Sequence, residues 1–204
     1  MKLFAAVLLS VPVLACASPA TDLVEKLSGM QSIEGRFEQT ILNQDGGRLQ
    51  EARGTMLLTR GNRFYWHTEE PFEQIAVSDG TTLWVYDVDL EQVIEKPMGE
   101  RIANTPALLF GGDPQQVTEA FSVEEADHSS RGVTYRLTPL ADDPLFEVLE
   151  VTFNGNQPEM MRLEDALGQQ TAIQFLDITL NGKVDASRFA FVAPEGADVI
   201  RQGE

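Results

Sequence analysis

Apolar and polar residues alternate with a period of two through most of the chain, which predicts strands rather than long helices. The pattern is clearest between Arg60 and Asp87, where Pro71 and the pair Asp79-Gly80 separate short apolar runs. We predict three consecutive antiparallel strands there: Arg63–Thr68, Phe72–Val77 and Leu83–Asp87.

The third of these strands is apolar on both faces. Alternation sends Leu83 and Val85 to one side and Trp84 and Tyr86 to the other. Because a strand with one solvated face carries polar residues on that face, we expect protein or ligand on both sides of this strand.

The same pattern predicts further strands: Ile33–Leu42, Leu49–Thr59, Leu90–Lys96, Phe121–Ala126, Val133–Thr138, Phe146–Phe153, Pro158–Glu164 and Thr171–Leu180. Strands that follow one another at short spacing indicate an antiparallel meander, and a long twisted sheet tends to curl. We therefore predict a mainly β fold with a few short helices, an incomplete antiparallel β-barrel (a half-barrel) of about eleven strands. A C-terminal tail is expected to dock on it.

Two short helices interrupt the β pattern. The first is predicted at Thr21–Leu27. The second follows a cap at Thr105, has Pro106 at its first position, and is apolar at Leu108, Leu109 and Phe110. Since this second helix is apolar on most sides, we expect the pair to cover the hollow of the curled sheet.

Residues 1–17 have the pattern of a secretory signal peptide, with Lys2, an apolar run and an Ala15-Cys16-Ala17 cleavage site. The run is shorter than the roughly 20 apolar residues that cross a membrane. We expect cleavage after Ala17, which leaves a single domain over residues 18–204 without cysteine. The alternative is a lipoprotein signal in which Cys16 becomes acylated.

The chain is strongly acidic. Its formal charge is −17, and the loss of Lys2 with the signal peptide makes it −18. Nucleic acids and anionic lipid surfaces attract basic patches, so both are poor partners. We expect no nucleic-acid binding and no stable membrane insertion.

The mature sequence offers little catalytic chemistry. It has no Gly-x-Ser-x-Gly elbow and no cysteine that pairs with a histidine, and His67 and His128 are far apart. Metal sites of His and Cys need more ligands than these. The sequence therefore indicates a binding protein without enzyme activity, cofactor or metal.

Arg60 lies between two predicted strands, Leu49–Thr59 and the aromatic strand Arg63–Thr68. It is either an exposed turn residue or a fork of donors that binds the carbonyl groups at the end of a short helix. The second interpretation makes it a reversible latch worth about 1–3 kcal/mol.

Several motifs, taken in order, resemble one protein family. They are Gly35-x-Phe37-x-Gln39-Thr40, Arg60-Gly61-Asn62-Arg63-Phe64-x-Trp66, Ser78-Asp79-Gly80-x-x-Leu83-Trp84-x-Tyr86, Asn104-Thr105-Pro106-x-x-Leu108-Leu109 and Asp185-Ala186-x-x-Phe189-x-Phe191. Together they resemble the periplasmic outer-membrane lipoprotein carrier family (LolA) of Gram-negative bacteria over nearly all of the mature chain. The sequence departs from the pattern at Gly61, where proline usually follows the arginine.

The resemblance implies a hydrophobic cavity under a helical lid. It implies a periplasmic carrier that receives acylated lipoproteins from an inner-membrane ABC transporter complex (LolCDE) and delivers them to an outer-membrane acceptor (LolB). Arg60 matches the arginine that holds the lid closed, and Phe64 matches an aromatic position tied to cargo transfer. We also expect a monomer.

The residues expected at this site fall into two groups. The lid helix contains Pro106, Leu108, Leu109 and Phe110. The cargo cavity is lined by Phe37, Met56, Phe64, Trp66, Trp84 and Tyr86.

Three other functions fit parts of this pattern. A regulatory sensor of lipid or stray lipoprotein would share the half-barrel, although sensors usually carry an extra domain. A membrane-anchored acceptor resembling LolB requires a lipidated Cys16. A lipid-modifying hydrolase requires a nucleophile and a base that the sequence lacks.

The mature N-terminus distinguishes the carrier from the anchored acceptor. After expression of the full-length chain, we expect an intact mass equal to residues 18–204 without lipid, measured by mass spectrometry. Cys16→Ser should leave this mass unchanged, because the cysteine is removed with the signal peptide. A mature form that begins at an acylated Cys16 would contradict the prediction.

Overall fold

The structure is a computed structural model that describes residues 18–98, 106–130, 132–144 and 146–203. The signal peptide predicted over residues 1–17 and the helix cap predicted at Thr105 lie outside the described residues. The helices are α1 (Pro19–Ser28), α2 (Pro106–Gly111) and α3 (Gln115–Ala120), and Ala186–Phe189 forms one 3₁₀ turn. No helix in these ranges is both long enough and apolar enough to cross a membrane.

The strands are β1 (Ser32–Leu42), β2 (Arg48–Thr59), β3 (Arg63–Glu70), β4 (Gln74–Asp79), β5 (Thr82–Asp87), β6 (Gln92–Pro97), β7 (Phe121–Ser129), β8 (Gly132–Pro139), β9 (Val148–Asn154), β10 (Gln157–Glu164), β11 (Gln170–Leu180) and β12 (Asp198–Arg201). They form one sheet in the order β12-β6-β5-β4-β3-β2-β1-β11-β10-β9-β8-β7. The end strands β12 and β7 do not pair, so the barrel is incomplete. The predicted mainly β fold with short helices and an unclosed sheet is confirmed.

The structure differs from the sequence prediction in four details. The sheet has twelve strands rather than about eleven. The tail adds the twelfth strand, and β12 runs parallel to β6, whereas a purely antiparallel sheet was expected. The helix α3 was not predicted, and β4 begins at Gln74 because Phe72 lies in the preceding turn.

The position of the helices follows from the strand order. β6 lies near one edge of the sheet and β7 forms the other edge, yet they are consecutive in the chain. The connection between them therefore has to cross the sheet, and it carries α2 and α3. We call the face against which the helices pack the inner face, and the opposite one the outer face.

The inner face carries the main core. The buried apolar side chains of its strands and helices are Leu23, Leu27, Met30, Ile33, Phe37, Met56, Leu58, Phe64, Leu83, Leu109, Phe110, Val117, Val133, Tyr135, Leu137, Phe146, Leu149, Val151, Phe153, Met161, Ile173 and Phe175. A smaller set is buried outside this cluster: Leu57, Val77, Val93 and Phe189. Part of the outer face, along β2, β4 and β6, is thus also covered by protein.

Hydrogen bonds fix α1 at both ends. The Ser18 hydroxyl caps its N-terminus by accepting from the Thr21 N–H (3.2 Å), three residues before the cap predicted at Thr21. The buried Tyr135 hydroxyl on β8 donates to the Asp22 carboxylate. At the other end, Asn181 Nδ2 donates to the Gly29 carbonyl oxygen at 2.8 Å. The helix is therefore attached to β8 and to the residue that follows β11, both in the same half of the sheet.

Burial raises the pKa of the Tyr135 hydroxyl, and its hydrogen bond to Asp22 raises it further. The neutral form is thus the one that the folded protein stabilises. A raised pKa contributes stability that is fully present below the unfolded value, near 10, and is lost as pH rises toward the folded value.

Tyr135→Phe keeps the ring and removes only the hydroxyl. At pH 7 we expect the free energy of unfolding to fall by about 1–2 kcal/mol, because Asp22 loses a donor. Above about pH 10 the gap between the two proteins should shrink, since only the wild-type chain has this hydroxyl to ionise on unfolding. Urea denaturation at pH 7, 9 and 10.5 measures the gap, and a constant gap would contradict the prediction.

Candidate functional site

Arg60 lies in the turn between β2 and β3, and its guanidinium faces the ends of two helices. Nη1 donates to the carbonyl oxygens of Phe110 (3.2 Å) and Gly112 (2.6 Å), and Nη2 donates to the carbonyl oxygen of Leu27. Phe110 belongs to α2 and Gly112 follows it, whereas Leu27 is in the last turn of α1. One side chain therefore ties two separate helices to the sheet.

These carbonyl groups are the ones that a helix end leaves without an intrahelical partner. The C-terminal end of a helix also carries partial negative charge, so a cation beside it is favourable. The last turn of α2 contains no basic residue of its own. Arg60 supplies that charge from the sheet, and its hydrogen bonds together contribute about 1–3 kcal/mol.

The same turn also binds α2 through its backbone. The Asn62 N–H donates to the Gly111 carbonyl oxygen at 3.1 Å. A Cβ at Gly111 would lie 3.2 Å from the Thr59 carbonyl oxygen and 3.5 Å from Asn62 Cα, so glycine permits this close approach. The turn thus binds the successive carbonyls of residues 110, 111 and 112.

The turn is not fully satisfied in this arrangement. Burial lowers the pKa of the Arg60 guanidinium and the Asp113 carboxylate partly offsets this, but the group stays charged at neutral pH. In the part of the chain that the structure describes, Asn62 Oδ1 is the buried side-chain polar atom without a hydrogen-bond partner. Such an atom costs about 1–3 kcal/mol. The closed turn is therefore less stable than a fully bonded one.

Several side chains that the sequence placed at a cargo site lie together on the inner face. Phe37, Met56 and Phe64 are buried, and the partly buried Trp66 packs against the same cluster. The ring centroids of Phe37 and Trp66 are 4.1 Å apart. These residues come from β1, β2 and β3, which are neighbours in the sheet.

The helix predicted to be a lid, α2, contributes to the same cluster. Leu109 and Phe110 are buried there, and the Phe110 ring meets the Phe175 ring edge to face, with centroids 5.7 Å apart. Pro106 and Leu108 belong to the backbone of α2, but their side chains lie outside what the structure describes.

Trp84 and Tyr86 do not lie on the inner face. Along β5, Leu83 and Val85 join the main core, and alternation turns Trp84 and Tyr86 to the outer face. Their ring centroids are 6.0 and 6.4 Å from that of Phe191 in the C-terminal segment. The structure therefore separates these two residues from Phe37 and Phe64, because the outer cover of this strand is the protein's own tail.

Sequence reasoning missed the part that α1 plays in this site. The Leu27 carbonyl is a main-chain group, and no residue type marks it as an acceptor for Arg60. It also missed Val117 of α3, which is buried in the inner core. A helix of six residues has too little periodicity to predict, and its sequence signal is Asp113-Pro114, where the Asp113 carboxylate accepts from the Gln115 N–H at 3.0 Å.

Comparison with known proteins decides the family. A family model described as the outer membrane lipoprotein carrier protein LolA matches residues 28–192. The outer-membrane lipoprotein carrier protein of Alcanivorax borkumensis is 56% identical over 181 residues, which cover 89% of this chain and 87% of that protein. The chain belongs to the LolA family of outer-membrane lipoprotein carrier proteins. The Chromohalobacter salexigens member is 46% identical over 184 residues, covering 90% of this chain and 87% of its own length.

Solved structures extend the likeness at much lower identity. An uncharacterized conserved protein from Thermus thermophilus aligns with a TM-score of 0.55 at 14% identity, covering 90% of this chain and 97% of that chain. MucB aligns with a TM-score of 0.51 at 16% identity, covering 85% of this chain and 63% of that chain. At these identities the likeness shows the LolA-type fold alone.

This LolA-family chain departs from the expected motif at Gly61, and the structure shows what the glycine does. Gly61 has a φ of +81° and Asn62 a φ of 57°. Proline fixes φ near −65° and cannot adopt the Gly61 conformation. The turn that carries Arg60 therefore has a positive φ at residue 61, which a sequence with proline at this position cannot form.

Proposed function

We propose that this protein is a periplasmic chaperone-carrier of lipoproteins. It takes up the acyl chains of lipoproteins that an inner-membrane ABC transporter complex resembling LolCDE releases, and it delivers them to an outer-membrane acceptor resembling LolB. It acts as a monomer and catalyses no reaction of its own. Membership of the LolA family and the printed names of its close relatives support this proposal.

The observation that carries the proposal is the Arg60 contact with both α1 and α2 above an apolar inner face. Within the described residues, the hydrogen bonds between α2 and the sheet all come from the β2–β3 turn. Few bonds therefore have to break before α2 moves away from the core that Leu109 and Phe110 cover. A helix held in this way is suited to open and close.

The energies favour a reversible lid. Each acyl CH₂ group removed from water is worth about 0.8 kcal/mol, so a lipid-modified protein cannot cross an aqueous compartment unprotected. A carrier must replace the bilayer without binding the chains more tightly than the acceptor does. Opening the latch costs free energy during uptake, and closing it again favours release.

We place the acyl chains between the helices and β1–β3. In this proposal Phe37, Met56, Phe64 and Trp66 form the sheet side of the cargo site, and Leu109 and Phe110 form its lid. Met56 is flexible and polarizable, which suits a surface that must repack around different chains. Trp84 and Tyr86 remain outside the cargo site and support the outer face.

Binding of acylated cargo is the direct test. We expect the purified protein to keep a triacylated lipoprotein in solution after detergent removal, in a one-to-one complex seen by size-exclusion chromatography. The same lipoprotein with its N-terminal cysteine changed to serine carries no acyl chains and should not bind. Equal recovery of both forms, or of neither, would refute the carrier function.

Arg60→Leu tests the latch. We expect cargo transfer to an acceptor to slow by at least about tenfold, because the loss of about 1–3 kcal/mol of closing energy shifts the lid toward its open state. The protein should still unfold cooperatively, with a thermal midpoint lower by only a few degrees, since the main core is intact. Transfer is measured with fluorescently labelled lipoprotein and acceptor.

Arg36→Leu is the matched control for that variant. Arg36 is also an arginine on the sheet, but it forms an exposed ion pair with Asp177, and such pairs contribute about 0–1 kcal/mol. We expect its transfer rate to equal that of the wild type. Wild-type transfer in Arg60→Leu would exclude the latch.

A further inference from the structure

The inner face of β4, β5 and β6 carries a short row of apolar side chains. The register pairs Ala76 with Val85 and Val85 with Ile94, so the three residues are direct neighbours across adjacent strands. Ala76 and Val85 pack against the main core, and Ile94 shares their face because paired residues lie on the same side of a sheet. We call Ala76, Val85 and Ile94 the inner strip.

The inner strip begins beside the proposed cargo site and leads away from it. Ala76 pairs with Trp66 on β3, so the strip and Trp66 form one continuous row. Helix α2 packs against β2 and β3, whereas α1 and α3 pack against β7. All three strip residues are only partly buried. They therefore lie beside the described helices rather than under them.

A lysine lies at the far end of the inner strip. Lys96 follows Ile94 by two residues on β6 and pairs with Leu83 on β5, so its side chain is also on the inner face. It is half-buried. Among the described residues, its ammonium group has no hydrogen-bond or ion-pair partner.

An unpaired ammonium group beside apolar side chains favours an anionic ligand. Partial burial removes water from Lys96 without supplying a protein acceptor, and a bound anion would supply one. The acidic charge of the whole chain acts over longer distances, and charges more than about 10 Å apart are largely screened at about 0.1 M salt. Asp87, an inner-face carboxylate of β5, is four residues from Leu83, or about 13 Å along the strand.

The shape of the site indicates the class of anion. Proteins usually hold a phosphate group with several donors, such as arginine forks or the N–H groups at a helix N-terminus. Lys96 is a single flexible donor, which is enough for one carboxylate, and the inner strip is a single apolar row. We propose that this site binds one long-chain fatty acid. Its carboxylate contacts Lys96, and its alkyl chain runs over the inner strip toward Trp66. The site concerns a ligand other than lipoprotein and does not depend on the proposed function.

Palmitate and 1-hexadecanol are suitable probes, because they share an alkyl chain and differ in the charge of the head group. In calorimetric titrations below micelle concentrations, Lys96→Met should weaken palmitate binding by about tenfold or more, since one charge-assisted hydrogen bond is lost. Its affinity for 1-hexadecanol should equal that of the wild type. Lys96→Arg keeps the charge and should still bind palmitate.

Lys183→Met is the matched control for Lys96→Met. It removes the same charge from an exposed lysine outside the strands. We expect it to bind both probes as the wild type does.

Ala76→Phe tests the apolar part of the site. The added ring would occupy the inner strip and should weaken binding of both probes by about tenfold, with the strand signal in circular dichroism unchanged. Ile94→Ala removes apolar surface without adding volume, and it should weaken both probes severalfold even if Ala76→Phe does not fold.

A signal from the lysine itself locates the carboxylate. Residues 18–204 contain three lysines, Lys26, Lys96 and Lys183. After ¹³C-methylation of their amino groups, NMR follows each one separately, and palmitate should shift the Lys96 signal alone.

The inference is overturned if palmitate does not bind, if Lys96→Met binds palmitate as the wild type does, or if its affinity for 1-hexadecanol falls by the same factor. Lysophosphatidylglycerol serves as the competing ligand class. If it binds through Lys96 at least as tightly as palmitate does, the site belongs to a phospholipid head group and the inference is also overturned.

Discussion

Hydrogen bonds from one guanidinium to the main-chain carbonyls of α1 and α2 hold the helices of this protein against its sheet. These hydrogen bonds are stronger than neutral ones because the Arg60 side chain is half-buried and carries a full charge. Their contribution is also limited, since the burial of a few CH₂ groups, at about 0.8 kcal/mol each, is worth as much as these bonds.

The strand order makes that interaction possible. The strands β6 and β7 are consecutive in the chain but lie toward opposite edges of the sheet. The chain between them must therefore cross the inner face. The β2–β3 turn meets this crossing segment where α2 ends, and Gly111 allows the two backbones to approach. The position of α2 over the inner face is therefore a consequence of topology, and hydrogen bonds from Arg60 hold it there.

The different surfaces of the sheet are suited to different tasks. The inner face gathers the aromatic and aliphatic side chains that suit acyl chains, including Phe37, Phe64 and Trp66. Around β5 the outer face is covered by the C-terminal segment, with Phe191 beside Trp84 and Tyr86.

Much of the fold could be predicted because strand alternation is a local property. The strands from Ile33 to Asp87 and the short helix at Pro106–Phe110 were placed within a few residues of their observed bounds. Phe37 and Phe64 could be assigned to one site because the motifs resembled a known family. Arg60 was predicted as one of two alternatives, since its surroundings depend on residues far along the chain.

The sequence by itself determined that this protein is an acidic, mainly β chain that resembles the LolA family. It also determined that the strand Leu83–Asp87 is apolar on both of its faces. It did not determine which side of that strand faces the helices, because period-two alternation divides residues into two faces without saying what covers each. The tertiary structure decided that Trp84 and Tyr86 meet Phe191, that β12 pairs with β6 in parallel, and that the Leu27 carbonyl joins the latch. All three depend on contacts between segments distant in sequence, and main-chain groups that take part in them have no residue-specific signature.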